Sequence, residues 1–417
     1  MQNWKIKVSL FLNYFVFAIL LNSVGTVILQ VQNNYGITQG AASTLEAFKD
    51  LSIALVSFLI SSYITRIGYK NAMLISLGFI SIICFIMPFT AGFGATKLLF
   101  AAVGSGFALI KMSVYSTIGL VTSNEKEHIS LMNFIESFFM IGILTGYFIF
   151  SYFVDNNNPQ STEWLKVYYL LGTIALLAFL LLLTAKLDET SVRNQENSSM
   201  IRDFTKMFQL MISPIVLVFI FCAFFYVLIE QSIMSWLPTF NNKVLMLPAA
   251  LSIQMASILA GSTALGRFLA GVLLKKLNWF LVLAGCLVLA ASLVLIAIPL
   301  AENLSGKPIT GWGTAPIAAF IFPMIGLLLA PIYPAVNSVI LSTLPVQKHG
   351  LMSGLIIIFS ALGGTTGSII TGHVFENFGG QKAFYFSLIP MTILIICLFI
   401  FKRLQNKFKL ANPEQPK

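Results

Sequence analysis

The sequence predicts an all-α membrane protein with twelve transmembrane helices in two similar halves of six. Hydrophobic residues make up 57% of the 417-residue chain and charged residues only 10%, whereas about 25% of residues are charged in ordinary soluble domains. A single globular core cannot cover so much apolar surface, so a bilayer is the expected solvent. The chain also contains twelve apolar runs of about 20 residues, the length that spans a bilayer.

The apolar runs fall into two groups of six, separated by a polar stretch that begins at Lys186. The first run is long enough to span and has no small-residue cleavage site, so we expect a transmembrane helix rather than a signal peptide. The predicted parts are an N-terminal bundle (1–185), a cytoplasmic linker (186–207), a C-terminal bundle (208–403) and a cytoplasmic tail (404–417). The predicted spans cover residues 8–30, 44–65, 71–91, 97–122, 129–153, 166–185, 210–238, 248–273, 279–300, 314–341, 350–372 and 381–402.

The net charge of +10 reflects membrane topology rather than nucleic-acid binding. The basic residues are spread singly through the loops, without the basic patch or stacked aromatic motif of a nucleic-acid partner. With the N-terminus inside, most Lys and Arg near span ends fall in cytoplasmic loops, as the positive-inside rule requires. We therefore expect a monomeric protein of a bacterial inner membrane, with both termini in the cytoplasm.

No pattern in the sequence indicates enzymatic chemistry. The three histidines, His128, His349 and His373, lie at span ends or in loops and lack the spacing of metal ligands. The four cysteines lie singly in apolar runs, which predicts neither a metal site nor a disulfide framework. We expect no enzyme, no metal, no cofactor and no ATP-driven machine.

Ionisable residues inside the spans are the main functional candidates, because a charge at the bilayer centre costs about 3 kcal/mol on insertion scales. Glu46 and Asp50 lie one turn apart at the start of the second span; if the helix begins later, they are surface charges. Lys111 lies near the middle of the fourth span and needs an acidic partner or an anionic ligand. Glu136, about two turns inside the fifth span, either forms a structural ion pair with Lys111 or carries a proton.

The alternation of span direction places Asp50, Lys111 and Glu136 at comparable depth, so we predict one mixed-charge cluster near the midplane. The carboxylates of this region are Asp50, Glu136 and Glu46.

Polar side chains elsewhere in the spans are expected to line an aqueous path, although a single Asn or Gln often only joins helices. Trp236 marks the outer end of the seventh span, where it either binds the substrate or anchors the helix at the membrane interface. The predicted substrate-binding residues are Lys111, Asn133, Glu230, Gln231, Asn22, Gln30, Trp236, Tyr333 and Asn337.

The six-plus-six layout and two related turns resemble the major facilitator superfamily. The turns are ITRIGYKNAM after the second span and GRFLAGVLLKK after the eighth. In that superfamily the first turn helps to latch a gate, which implies gating roles for Arg66, Gly68, Lys70 and Arg267. Thr65 stands before Arg66, where the family has an acidic residue, so the resemblance implies a weaker latch here.

Within that superfamily, three stretches resemble the fucose–galactose–proton symporter family. They are IEQSIMSWLPTF ending at residue 240, IGLLLAPIYPAVNSVIL at 325–341 and GLMSGLIIIFSALGGTTGSIITGHVFENFGG at 350–380. The resemblance implies sugar uptake driven by protons, or else by sodium, with acidic residues of the N-terminal bundle carrying the coupling. On the positions of this sequence, these are Asp50, Glu136 and Glu46. Lys111 is the main departure, because a neutral sugar needs no buried ammonium. It either neutralises a carboxylate or recognises an acidic substrate such as a sugar acid.

We therefore predict a secondary active transporter that takes up a sugar or related small polar solute by alternating access. An organic-anion transporter that uses Lys111 stays open as an alternative. A proton-driven efflux pump also stays open, because the sequence does not encode the direction of transport. A solute sensor would need an added signalling domain, and a lipid flippase would need a lateral groove.

Overall fold

The computed structural model describes residues 4–61, 63–122, 125–189, 200–301, 309–344 and 348–411, most of them in helices. Within these residues, eleven helices are long and apolar enough to cross a membrane. The predicted second span is absent from these eleven because its helix carries Glu46, Lys49 and Asp50 within 18 positions. With that helix added, the described chain contains the twelve predicted spans, and the all-α membrane fold is confirmed.

The first of two compact units comprises the described residues of Met1–Met200 together with Pro248–Ser257. The short second segment belongs here because Asn156 Oδ1 accepts a 3.0 Å hydrogen bond from the Ala250 backbone N–H. The helices of the first unit are α1 (Trp4–Asn22), α2 (Val24–Tyr35), α3 (Gln39–Ala42), α4 (Thr44–Ser61), α5 (Ile64–Ile67), α6 (Tyr69–Ile86), α7 (Phe93–Val121), α8 (Glu125–Tyr152) and α9 (Val167–Thr184).

The second unit comprises Ile201–Leu247 and the described residues of Ile258–Lys417. Its predicted tenth span is divided into short helices, and Pro323 and Pro331 lie at the breaks because proline lacks the backbone N–H that a continuous helix uses. The helices from here to the end of the chain are α10 (Met200–Met211), α11 (Pro214–Met234), α12 (Leu237–Lys243), α13 (Ala249–Leu273), α14 (Trp279–Leu300), α15 (Ala318–Ile321), α16 (Ile325–Leu329), α17 (Ile332–Thr343), α18 (His349–Phe378), α19 (Gly380–Tyr385) and α20 (Leu388–Ala411).

Two segments that the sequence placed outside the bundles are helical. The linker prediction covered 186–207, and α10 occupies its last part and continues to Met211, while residues 190–199 lie outside the described residues. The last helix continues to Ala411, past residue 403, because 404–411 is rich in Leu, Lys, Gln and Ala, which are good helix formers.

The same glycine contact joins the first and fifth spans of each unit. In the first unit, a Cβ on Gly142 of α8 would lie 2.8 Å from the carbonyl oxygen of Phe15 on α1. In the second unit, a Cβ on Gly363 of α18 would lie 2.3 Å from the carbonyl oxygen of Phe224 on α11. Only glycine allows backbones to approach so closely, so the repeated contact reflects the two-fold internal repetition of the fold.

A further close contact fixes α4 against α7. A Cβ on Gly104 of α7 would lie 2.2 Å from the carbonyl oxygen of Lys49 on α4. Because Lys49 and Lys111 belong to these two helices, the contact sets the relative height of the charged side chains in the first unit.

We expect Gly104→Ala to lower the free energy of unfolding by about 1–3 kcal/mol, the usual effect of overpacking, because its methyl group would overlap the Lys49 carbonyl. The thermal unfolding midpoint of the detergent-solubilised protein measures this. Gly119→Ala in the same helix is the matched control, since a Cβ there meets nothing within 4 Å and alanine favours a helix by up to about 1 kcal/mol. Equal midpoints for the two variants would contradict the close contact.

Candidate functional site

One face of α7 presents three side chains four residues apart, which are Phe107, Lys111 and Tyr115. The Tyr115 hydroxyl donates a 2.7 Å hydrogen bond to Glu136 Oε1 on α8. Lys111 Nζ lies 5.8 Å from the centroid of the Phe107 ring and interacts electrostatically with Glu136. We call Lys111 and Glu136 the central pair. The Lys111 ammonium and the Glu136 carboxylate nevertheless lie further apart than the 4.0 Å limit of a salt bridge. Among the described residues, the Lys111 ammonium has neither a hydrogen-bond acceptor nor an ion-pair partner.

Aromatic rings from three helices surround the central pair. Tyr14 on α1 has its ring centroid 6.2 Å from that of Tyr115 and 5.6 Å from that of Phe139 on α8. The rings of Phe107 and Phe139 are 6.0 Å apart. These rings lie around the central pair, and Lys111 is only partly buried.

The central pair lies deep in the predicted membrane. Lys111 stands ten residues before Val121 at the end of α7, and Glu136 stands eleven residues after Glu125 at the start of α8. At 1.5 Å per residue, each lies about 15 Å from the same end of the unit, which is about half the thickness of the hydrocarbon core. An ammonium and a carboxylate at this depth can bind an anionic group and a proton.

The buried triad, which consists of Glu46, Lys49 and Asp50, forms a second charged group. Lys49 Nζ donates a hydrogen bond to Glu46 Oε1 and lies 3.4 Å from Asp50 Oδ1. Glu46 is 0% exposed and Asp50 is 8% exposed, so the alternative that these are surface charges is wrong. Two carboxylates therefore share one ammonium inside the first unit.

The prediction of one cluster of Asp50, Lys111 and Glu136 is wrong. Lys49 packs at the height of Gly104, and Lys111 lies seven residues further along α7, about 10 Å away along the helix axis. The charged neighbours of Asp50 are Lys49 and Glu46, whereas that of Lys111 is Glu136. The prediction fails because Asp50 pairs with Lys49 inside the buried triad, at the height of Gly104 rather than that of Lys111.

The second unit contains a related polar group. The Tyr226 hydroxyl on α11 donates a 2.9 Å hydrogen bond to Glu230 Oε1 one turn later. The Tyr226 ring stacks on that of Tyr333 on α17, with centroids 5.5 Å apart and planes at 24°. The Tyr333 hydroxyl is 2.9 Å from Ser360 Oγ on α18, and Asn337 follows Tyr333 by one turn on the same helix.

Arg267 and Gln231, both predicted as functional, lie close to this group. Arg267 is exposed within α13, six residues before its end, and interacts electrostatically with Tyr226. Gln231 Oε1 accepts a 3.2 Å hydrogen bond from Ser235 Oγ. The structure therefore places Arg267 inside α13 rather than in a turn, and associates it with the polar group of the second unit.

Trp236 is part of a helix-packing interface. Its side chain is 0% exposed, and its indole N–H donates to the Ser368 backbone oxygen at 3.1 Å and to Ser368 Oγ at 3.2 Å. An interfacial anchor needs an indole that reaches the lipid headgroups, so that alternative is wrong.

The remaining predicted substrate-binding residues are on α1, α2 and α8. Asn22 Nδ2 donates to the Ala18 backbone oxygen at 2.8 Å. Gln30 is buried on α2, and its Nε2 has no hydrogen-bond partner among the described residues. The side chain of Asn133 lies outside the described residues.

The predicted gating turn is bound to the end of the sixth span. Gly68 directly precedes α6 and has a φ of 86°, a conformation that favours glycine. The Lys70 backbone N–H donates to Glu189 Oε1 at 2.7 Å, and its ammonium donates to the Ala185 backbone oxygen at 2.6 Å. A cation at the carbonyl end of a helix is stabilised by the helix dipole, so Lys70 stabilises the C-terminal end of α9. Arg66 lies 5.8 Å over the Tyr63 ring.

Several residues of these groups were missed as site residues. Glu189 was read as part of a polar linker, and its contact with Lys70 spans 119 positions of sequence. Tyr115 follows Lys111 by one turn, a spacing that could have indicated it, whereas the other rings do not stand out in a chain with 37 Phe and 12 Tyr. The further residues missed are Tyr14, Phe107, Phe139, Tyr226 and Ser360.

In the described chain, no group of three or more His, Cys, Asp or Glu could hold a metal ion.

Comparison with known proteins agrees with the fold. A variant of the nucleoside transporter NupG has 15% identity and a TM-score of 0.76, covering 95% of this chain and 99% of that chain. A D-xylose-proton symporter has 12% identity and a TM-score of 0.73, covering 96% and 97%. The transporter FucP has 15% identity and a TM-score of 0.63, covering 97% and 99%.

Identities this low show a shared fold and do not single out the fucose–galactose–proton symporter family, so the narrower resemblance stays a prediction. No curated protein matches the chain significantly. The profile of the Major Facilitator Superfamily, however, matches residues 10–356, which is most of the sequence. The chain therefore belongs to the major facilitator superfamily.

Proposed function

We propose that this protein is a secondary active transporter that moves a small polar solute bearing an anionic group, with protons as the driving ion. The observation that carries the proposal is the Lys111 ammonium, which lies in the middle of a membrane-spanning helix without an ion-pair partner among the described residues. The chain belongs to the major facilitator superfamily, and this membership supports the transport role.

An anionic solute would supply the counter-charge that Lys111 lacks. An unpaired charge at the bilayer centre costs about 3 kcal/mol on insertion scales, and a carboxylate of the solute would offset that cost on binding. The rings of Phe107, Tyr14 and Phe139 would contact the apolar faces of the solute, since binding sites for small molecules combine apolar walls with a few placed polar groups. A sugar acid has both kinds of surface.

Glu136 is the proposed proton carrier. When an anion binds Lys111, two negative groups surround one ammonium, and protonation of Glu136 restores neutrality. The Tyr115 hydroxyl, which is 2.7 Å from Glu136, would orient this carboxylate in either protonation state, because a hydroxyl both donates and accepts. Alternating access would then move solute and proton together. The D-xylose-proton symporter described above has the same fold, and this supports proton coupling as a mechanism for the fold.

A neutral sugar is the second candidate solute. It is favoured by the electrostatic interaction of Lys111 with Glu136, because a carboxylate at that range can balance the ammonium without a ligand. In that case Lys111 is structural, and the aromatic rings carry recognition. Efflux remains the alternative direction of transport, and the bacterial inner membrane and cytoplasmic termini remain predictions.

One prediction distinguishes an anionic solute from a neutral sugar. We expect a sugar acid to raise the thermal unfolding midpoint of the wild type, and Lys111→Met to abolish that shift, because the anion loses its only cation. Lys97→Met is the matched control: Lys97 lies on the same helix, 4.4 Å from the Phe93 ring, and its loss should leave the shift intact. A shift caused by neutral sugars alone, and kept in Lys111→Met, would support the second candidate and exclude the anionic solute.

The second prediction concerns coupling. In proteoliposomes, Glu136→Gln should lose proton-driven accumulation and keep counterflow exchange, because the solute site is intact while the titratable group is gone. Asp50→Asn is the comparison, and it should keep both activities, since Asp50 belongs to the buried triad. If Asp50→Asn loses accumulation and Glu136→Gln does not, the proton carrier is Asp50. Loss of both activities in a folded Glu136→Gln would give Glu136 a binding role.

The third prediction tests the buried triad as a structural unit. Lys49→Met should lower the free energy of unfolding by about 3–5 kcal/mol, the usual effect of removing one partner of a buried ion pair. The triple variant Glu46→Gln, Lys49→Met, Asp50→Asn should regain most of that loss, because no uncompensated charge remains. Unfolding midpoints measure both effects, and an unchanged midpoint in Lys49→Met would show that the triad is hydrated.

A further inference from the structure

Four cations gather at one end of the second unit, where α13 ends, α14 begins and α20 passes. We call this group the basic patch. Lys275, Lys276 and Arg403 are exposed, and Lys402 is partly buried. None of these cations lies within 4.0 Å of a carboxylate among the described side chains. The members of the basic patch are Lys275, Lys276, Lys402 and Arg403.

The basic patch is held in place by aromatic rings and by a hydrogen-bonded turn. Lys402 Nζ lies 4.6 Å from the Phe280 ring centroid, and the Arg403 guanidinium lies 4.4 Å from that of Phe399. The Phe280 and Phe399 rings are 6.2 Å apart, so they hold both cations on one surface. Cation–π contacts at exposed sites are worth about 0.5–1 kcal/mol each, enough to bias the side chains toward these positions.

The turn before α14 is equally ordered. Asn278 Oδ1 accepts a 3.0 Å hydrogen bond from the Phe280 backbone N–H and caps α14. The Lys276 backbone N–H donates to the Leu273 carbonyl oxygen at 3.0 Å. Both contacts fix the backbone that carries Lys275 and Lys276.

Among the residues whose side chains the structure describes, the second unit offers this patch no counter-charge. Its acidic residues with described side chains are Glu230 and Glu376. Glu230 lies sixteen residues after Pro214 on α11, about 24 Å along the helix. Glu376 lies near the end of α18, beside the short connection to α20, whereas Arg403 lies fifteen residues along α20, about 22 Å away. The positive charge of the patch is therefore available to an outside partner.

Apolar side chains continue from the basic patch along the surface of the second unit. Val272 is 52% exposed, Leu277 is 54% exposed and Leu281 is 67% exposed. In a membrane-spanning protein such side chains contact acyl chains, and the cations stand at the level where the chains meet the headgroups. A partner with one anionic end and an apolar tail matches both surfaces.

We propose that the basic patch binds an anionic phospholipid, with the phosphate between the Lys275–Lys276 turn and the Lys402–Arg403 pair and the acyl chains along Leu277 and Leu281. The ring contacts of Lys402 and Arg403 and the ordered backbone of the turn distinguish such a site from a diffuse positive surface, because pre-ordered groups lose less entropy on binding. The inference is independent of the transported solute, since the central pair belongs to the first unit.

The test titrates purified, detergent-solubilised protein with phosphatidylglycerol and counts bound lipids by native mass spectrometry. We expect Lys402→Gln/Arg403→Gln to weaken binding about 30-fold, because each basic residue near a lipid surface contributes about fivefold. Lys275→Gln/Lys276→Gln should weaken it similarly. The Lys275 and Lys276 side chains are exposed and have no cation–π contact among the described residues, so this second variant is expected to fold even if the first does not. Lys97→Gln in the first unit, a lysine with its own ring contact, is the matched control and should bind like the wild type.

Three outcomes would overturn the proposal. The first is wild-type affinity in both double variants when their unfolding midpoints are unchanged. The second is equal binding of zwitterionic phosphatidylcholine, because that lipid carries no net charge for the patch to recognise. The third is displacement of the lipid by inorganic phosphate at matched concentration, which would show a site for a free anion. Weakening of phosphatidylglycerol binding at high salt, where the Debye length falls to about 3 Å at 1 M, is the expected result for a charge-dependent site.

Discussion

A charged group inside a membrane-spanning helix needs a partner, because hydrocarbon cannot solvate it. In the first unit this need is met in different ways. Lys49 binds two carboxylates, Lys70 binds the last carbonyls of α9, and Glu136 accepts from the Tyr115 hydroxyl. Lys111 differs from these groups, because its nearest described charge is Glu136, beyond salt-bridge distance. The feature that identifies a candidate site is thus an unmet requirement for charge compensation among otherwise satisfied groups.

Close helix packing determines where these groups lie. Glycine contacts bring α8 onto α1 and α18 onto α11, so each unit places a ring from its first span beside a tyrosine from its fourth. In the first unit that tyrosine bonds to Glu136 of the fifth span, and in the second unit it bonds to Ser360 of the fifth span. The repeated scaffold therefore carries a titratable group at this point in one unit and a neutral hydroxyl in the other. The carboxylate in the polar group of the second unit, Glu230, is on the first span instead.

The sequence predicts spans well and side-chain partners poorly. Hydropathy located the twelve spans because each must cross the same thickness. Residue depth follows from position along a helix, which identified Lys111 and Glu136 as a pair. The direction that a side chain faces depends on packing between helices, so Tyr14 and Phe139 were missed. Trp236 was misread as an interfacial candidate for the same reason, because only the fold shows Ser368 beside its indole.

Charge balance around Lys111 explains how solute and proton could be coupled without touching each other. The empty central pair carries no net charge, and the pair with an anion and a proton bound is again neutral. An anion alone leaves one negative charge in a region where an unbalanced charge costs about 3 kcal/mol. A cost of that size lowers the population of an occluded state by about 150-fold, since 1.4 kcal/mol corresponds to a factor of ten. In the proposed mechanism, electrostatics would therefore keep the half-loaded states from crossing, and coupling would follow from the position of one ammonium and one carboxylate at the same depth.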